Sequence, residues 1–243
     1  MNYISLIILA AGALIGGFSV FFIKKDSTKS LKLILSFSGA YLFGITVLHL
    51  LPDVYQYHNH YIGLFILGGF LLQILLEQFS DGIEHGHMHK HNHSHSFPWA
   101  IMISLCLHAF LEGMPIASDN DERHLVYGIA IHHIPAAFAL GSVLLSNHVK
   151  KSTTIALMIV FALMSPLGYI FSHILKSGSI IGTNYYPQIM GIVIGIFLHI
   201  STTILFESSS ADHRFSLKKT LAVLAGVFIA LIGFLLHSPH HHH

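Results

Sequence analysis

Polar residues in this chain are gathered into short clusters, and between them run unbroken apolar stretches: Tyr3 to Ile23, Leu31 to Leu51, Tyr61 to Phe79, Phe97 to Ala117, Leu125 to Leu145, Thr153 to Leu175, Tyr186 to Phe206 and Leu217 to Leu236. Each matches the roughly 20 helical residues that cross a hydrocarbon core about 30 Å thick. The pattern predicts eight membrane-spanning helices. It does not fit a transmembrane barrel, whose strands alternate apolar and polar positions over about ten residues. The expected fold is therefore all-α, a polytopic bundle forming a single transmembrane domain over residues 1–243. The longest gap, residues 80–96, leaves no room for a soluble domain.

Composition agrees with this reading. Hydrophobic residues make up 53% of the chain and charged ones 9%, whereas about a quarter of a soluble domain is charged. The mean hydropathy is +0.67. A net charge of +1, with the 12 Lys and Arg dispersed, excludes nucleic acid as a partner, because no basic run is dense enough to neutralise a row of phosphates. The lone Cys106 excludes an intramolecular disulfide framework and any CxxC site.

Charge sets the expected orientation through the cytoplasmic excess of Lys and Arg. Lys24, Lys25, Lys29, Lys32, Lys90, Lys150, Lys151, Arg214, Lys218 and Lys219 fall on one side, against Arg123 and Lys176 on the other. The first set is expected inside, with both termini outside. The first span is not expected to be a cleaved signal peptide, since its basic residues follow the apolar run and the run is too long. The expected location is a cell (inner) membrane, with multiple passes through the bilayer.

The chain contains 22 histidines, the side chain that most often binds transition metals near neutral pH. Six of them, His85, His87, His89, His91, His93 and His95, recur at every second position between spans three and four. Interleaved with Gly, Met, Lys, Asn and Ser, they cannot build a core and read as a cytoplasmic metal-collecting tract. The terminal run His240 to His243 is set apart from the argument.

Ionisable groups at membrane depth are costly and therefore mark function. His108 and Glu112 lie four apart on one face of span four, near its centre, and Glu112 is the only acid there. Span five carries His132 and His133 just before a central Pro135. The two spans are antiparallel and joined by a short loop, so these groups meet near the midplane. Imidazole nitrogen and carboxylate oxygen are the donors zinc accepts, about four at about 2.0 to 2.2 Å. Such ligands bind deprotonated, so loading the site is expected to release protons. His132 and His133 point about 100° apart around the helix, which leaves open whether His133 joins. Pro135 frees the carbonyl of Ile131, and Gly113, Gly128 and Gly141 permit close helix approach. The broken, close-packed helices this implies are common around transporter sites. His199 in span seven reads as an interhelical hydrogen-bond partner and Cys106 as packing. Asp119, Asp121 and Glu122 read as a solvated outer loop.

These residues, in this order, resemble the ZIP family of divalent-metal transporters along the length of the chain. The marks are the His-rich loop, HLLPD at His49 to Asp53, HAFLEG at His108 to Gly113, HHIPAA at His132 to Ala137, SPLG at Ser165 to Gly168 and GIFLHISTTILFE at Gly195 to Glu207. The resemblance implies a non-enzymatic carrier of divalent metal into the cytoplasm. It implies zinc as substrate, with Fe2+, Mn2+, Cd2+ and Co2+ as further candidates. It also implies elevator-type alternating access, in which helices one, four, five and six carry the ion against the other four, and a homodimer in the lipid bilayer. The usual pattern has two adjacent metal sites bridged by carboxylates. Here Ala109 stands at the asparagine position, His133 and Ala136 at two acidic positions, and Ser165 at another. What carries over is one site: His108, Glu112 and His132, completed by His133 or water.

Four rivals are open to test. A cation-diffusion exporter is disfavoured by the eight spans and the lack of a cytoplasmic C-terminal domain. An intramembrane metalloprotease would need HExxH, which is absent. A bis-histidine haem protein using His108, His132 or His199, and a non-transporting metal sensor, are the alternatives.

Overall fold

The computed structural model describes residues 3–22, 28–80, 98–117, 123–176, 185–207 and 217–237. The expected His tract, the outer acids Asp119, Asp121 and Glu122, and the terminal histidines lie outside these residues. The described elements are helical: α1 (Tyr3–Ser19), α2 (Thr28–Ile45), a π turn (Thr46–Leu50), α3 (Leu51–Tyr55), α4 (Ile62–Ser80), α5 (Trp99–Gly113), a 3-10 turn (Met114–Ala117), α6 (Arg123–Ser146), α7 (Lys151–Lys176), α8 (Tyr186–Glu207) and α9 (Leu217–His237). The second span is thus α2, the π turn and α3 end to end. The fold is the all-helical polytopic bundle that the hydropathy predicts. Among the described residues seven spans are long and apolar enough to cross a membrane, and α1 is a shorter apolar helix.

The first span differs from the expected Tyr3 to Ile23. The helix ends at Ser19, whose hydroxyl donates to the Gly16 carbonyl (2.6 Å). Phe21 and Phe22 then turn back onto the carbonyls of Phe18 and Ser19. At about 1.5 Å per residue, α1 is roughly 25 Å long. Apolar composition continues past a point where hydrogen bonding has already closed the helix.

The π turn has a local cause. Pro52 has no N–H and its ring crowds the carbonyl four residues back, so the helix widens and Leu51 N–H bonds the Thr46 carbonyl instead. Pro135 and Pro166, by contrast, lie inside unbroken helices. The expected break at Pro135 does not occur. There α1 braces α6 so closely that a Cβ on Gly12 or Gly16 would overlap the backbone of Ala130 or Ile134.

Packing sorts the helices into two groups. α1 lies along α6 and α7, and α5 along α7; α4 lies along α8, and α2 along α9 and α8. The groups meet where α2 packs on α6 and α4 on α5. Between them sits a core that includes Leu9, Leu42, Ile45, Leu125, Ile129 and Phe197. The outer faces of α4 and α9, carrying residues such as Leu67, Leu71, Leu224 and Phe228, are exposed. In lipid such faces gain nothing by burial, so helix association depends on close packing and interhelical hydrogen bonds.

Candidate metal centre

Glu112 is the hub of the polar interior. It is fully buried on the last turn of α5, just before the helix tightens into the 3-10 turn. One oxygen, Oε1, lies 3.3 Å from His108 Nε2, the i,i+4 neighbour on the same face. His132 Nε2, reaching in from α6, is 3.9 Å from that same oxygen. The other oxygen, Oε2, accepts a hydrogen bond from His133 Nε2 at 2.7 Å. Adjacent histidines on α6 therefore both reach Glu112, one at each oxygen. They diverge around the helix and embrace the carboxylate from two directions.

Each of the four side chains is at most 2% exposed. One ligand atom from each of His108, Glu112 and His132 can be chosen so that all lie within 4.8 Å of one another. Tetrahedral coordination at about 2.1 Å places donor atoms roughly 3.4 Å apart, so a small inward adjustment would close this group on one ion. His108 Nε2 and Glu112 Oε1 have no hydrogen-bond partner among the described residues. Leaving a buried polar atom unsatisfied costs about 1–3 kcal/mol, and here two such atoms face a common point. That is the donor pattern a cation would complete.

The sequence reading missed Gln73. It is fully buried on α4, and its Oε1 stands 3.3 Å from His108 Nδ1, accepting from that nitrogen's N–H. The signal available was a single amide within the apolar run FILGGFLLQILL. It also missed Glu77, one turn further along α4, whose Oε2 is 3.4 Å from His199 Nε2. His199 packs edge-on against Phe70 (4.9 Å) and is thus in contact with its neighbouring helix, as expected of an interhelical polar residue. His49 lies away from the centre, edge-on to Phe234 on α9.

The departures from the two-site pattern also have places. Ala109 and Ala136 are fully buried. Ser165 donates its hydroxyl to the Ala109 carbonyl (2.6 Å), joining α7 to α5. Nearby, a Cβ at Gly113 would overlap the Ser165 carbonyl. Ala109, Ala136 and Ser165 therefore offer two buried methyl groups and one hydroxyl already bonded to a backbone carbonyl. The glycines at 113 and 128 sit at close helix contacts as expected, the latter against the Tyr41 ring.

Comparison with known proteins agrees with this architecture. The family described as ZIP Zinc transporter matches residues 1–98 and 96–233. Protein zntD of Dictyostelium discoideum is 30% identical over 136 residues, covering 53% of this chain and 20% of that protein. Zinc transporter ZIP1 of Plasmodium falciparum is 29% identical over 150 residues, covering 58% of this chain and 41% of its own. Zinc transporter ZIP1 of Homo sapiens is 25% identical over 139 residues, covering 56% and 43%. The chain thus spans less than half the length of these relatives. The family match nevertheless runs through both helix groups and includes every residue of the centre, and this chain belongs to the ZIP zinc transporter family.

Proposed function

We propose that the chain carries divalent transition metal, zinc foremost, across its membrane into the cytoplasm through a single midplane site. In this reading His108, Glu112 and His132 hold the ion. His133 anchors the carboxylate through Oε2, and the fourth position stays open for water. One observation carries the proposal: three buried donors within 4.8 Å of one another, with His108 Nε2 and Glu112 Oε1 unsatisfied. Two imidazoles and one carboxylate suit zinc and its neighbours better than they suit calcium or magnesium, which favour all-oxygen sets. Fe2+, Mn2+, Cd2+ and Co2+ are the competitors to test.

The way the helices pack supports an elevator-type cycle. The site's ligands all belong to the group α1, α5, α6 and α7, while α2, α4, α8 and α9 form the other group. A transporter of this kind carries its ion with the first group against the second. The distribution of Lys and Arg supports an orientation with both termini outside and the His85 to His95 tract in the cytoplasm, where it would take up released metal. We assign the chain to a cell (inner) membrane as one transmembrane domain, working as a homodimer. The haem alternative fits poorly, because Glu112 Oε1 stands beside both imidazoles, in the space a macrocycle would fill.

The test is metal uptake into proteoliposomes, comparing wild type with His108→Ala and Glu112→Ala. Loss of uptake in both is expected. Unchanged uptake in both would refute the site, and metal binding without flux in the wild type would make the protein a sensor.

A further inference from the structure

Gln73 lies on α4, a helix that otherwise turns much of its surface outward: Leu64, Leu67, Leu71, Leu75 and Phe79 are all exposed, yet Gln73 is fully buried. Burying an amide costs free energy unless it is hydrogen-bonded. Its carbonyl oxygen reaches across to α5 and meets His108 Nδ1 at 3.3 Å. One turn away, Ser104 Oγ donates to the Leu76 carbonyl at 2.6 Å. These two contacts, at 104 and 108 on one helix and 76 and 73 on the other, join α5 to α4 in this conformation.

The consequence falls on the other side of the imidazole. A neutral histidine carries one ring proton, and the nitrogen without it is the one that can bind a metal. If Nδ1 donates to Gln73, Nε2 presents its lone pair, and Nε2 is the nitrogen 3.3 Å from Glu112 Oε1 with no hydrogen-bond partner. The opposite amide orientation would put a proton on Nε2 and close the site to a cation. Ligating histidines characteristically donate their second N–H to an acceptor that sets tautomer and ring orientation.

We infer that Gln73 is a positioning residue for the metal site, holding His108 in the tautomer and orientation in which Nε2 can take the ion. This rests on the reading of His108, Glu112 and His132 as the transport site. It adds a residue from the opposite helix group.

Zinc uptake by the full-length protein in proteoliposomes tests it. Gln73→Met keeps side-chain volume but removes the acceptor, and its KM for Zn2+ is expected to rise about 10- to 100-fold, the usual effect of losing such a partner. Maximal rate and the yield of folded protein should hold. Gln73→Glu, which restores an acceptor, should keep KM close to wild type. A wild-type KM in Gln73→Met, or a KM raised equally in Gln73→Glu, would overturn the inference. So would a loss confined to maximal rate or folded yield, the signature of a structural contact alone. A His108→Ala arm separates the two levels. Normal uptake there refutes the site itself, whereas lost uptake beside a neutral Gln73→Met refutes only the role of Gln73. Should Gln73→Met fail to fold, 15N spectra of wild-type histidine rings decide, with the His108 signal identified by its loss in His108→Ala. A proton on Nδ1 is expected, and one on Nε2 would overturn the inference.

Discussion

Two histidine–carboxylate groupings among the described residues differ in what surrounds them. Between α4 and α8, His199 and Glu77 meet at 3.4 Å, with the Glu77 side chain 22% exposed. Between α5 and α6, three imidazoles converge on the fully buried Glu112, at 2.7, 3.3 and 3.9 Å. The first is one cross-helix pair of the kind that helps two helices associate. The second brings more donors together than helix association needs and leaves His108 Nε2 and Glu112 Oε1 unsatisfied. Both place imidazole beside carboxylate inside an apolar span. Convergence on one fully buried carboxylate is what sets the second apart as a candidate site for an ion.

Substitutions can break that contrast, and the largest effect is expected at its hub. Glu112→Gln keeps the shape but loses the anionic ligand, so initial rates of radioactive zinc uptake should fall by about 100-fold or more, beyond the usual loss for an outer partner. Residual uptake near wild type would make Glu112 no different from Glu77. The two adjacent histidines should then separate. His132→Ala removes a proposed ligand and should approach the Glu112 loss. His133→Ala removes a hydrogen bond to the far oxygen and should cost about 10-fold in KM for zinc. Equal effects would mean that both coordinate.

The remaining two predictions concern packing. Gly113→Ala would force α5 away from the Ser165 carbonyl, and overpacking of this kind costs about 1–3 kcal/mol. It should appear as a lowered unfolding midpoint of the detergent-solubilised protein. The smallest effect belongs to His199→Ala. An interhelical hydrogen bond in a membrane protein averages about 0.6 kcal/mol, so stability should drop slightly while KM for zinc stays put. A large rise in KM would place His199 on the ion's route and erase the distinction between the two regions.

The centre was readable where chemistry and spacing coincide. His108 and Glu112 are one helical turn apart, and His132 follows in an antiparallel neighbour, so periodicity and antiparallel packing together bring them close. Gln73 escaped because its meaning depends on a contact 35 residues away in sequence, and one amide in an apolar run looks like tolerated polarity. Glu77 was hidden for a similar reason, its histidine being supplied by a helix far along the chain. His133 is another difficulty: a 100° step around α6 leaves open whether it joins His132, but a carboxylate has two oxygens and can be approached from both sides. Helix ends were less legible than spans. Nothing in the hydropathy marks Ser19 as the end of α1, since the stop comes from local hydrogen bonds. Pro52 and Pro135 look alike in sequence, yet one widens its helix into a π turn and the other is absorbed by close packing.

The most direct measurement is anomalous diffraction at the zinc edge from crystals of the protein soaked in zinc. A single strong midplane peak is expected, within about 2.2 Å of His108 Nε2, Glu112 Oε1 and a ring nitrogen of His132. Two strong peaks at the midplane, or none beside Glu112, would contradict a single site built on these three residues.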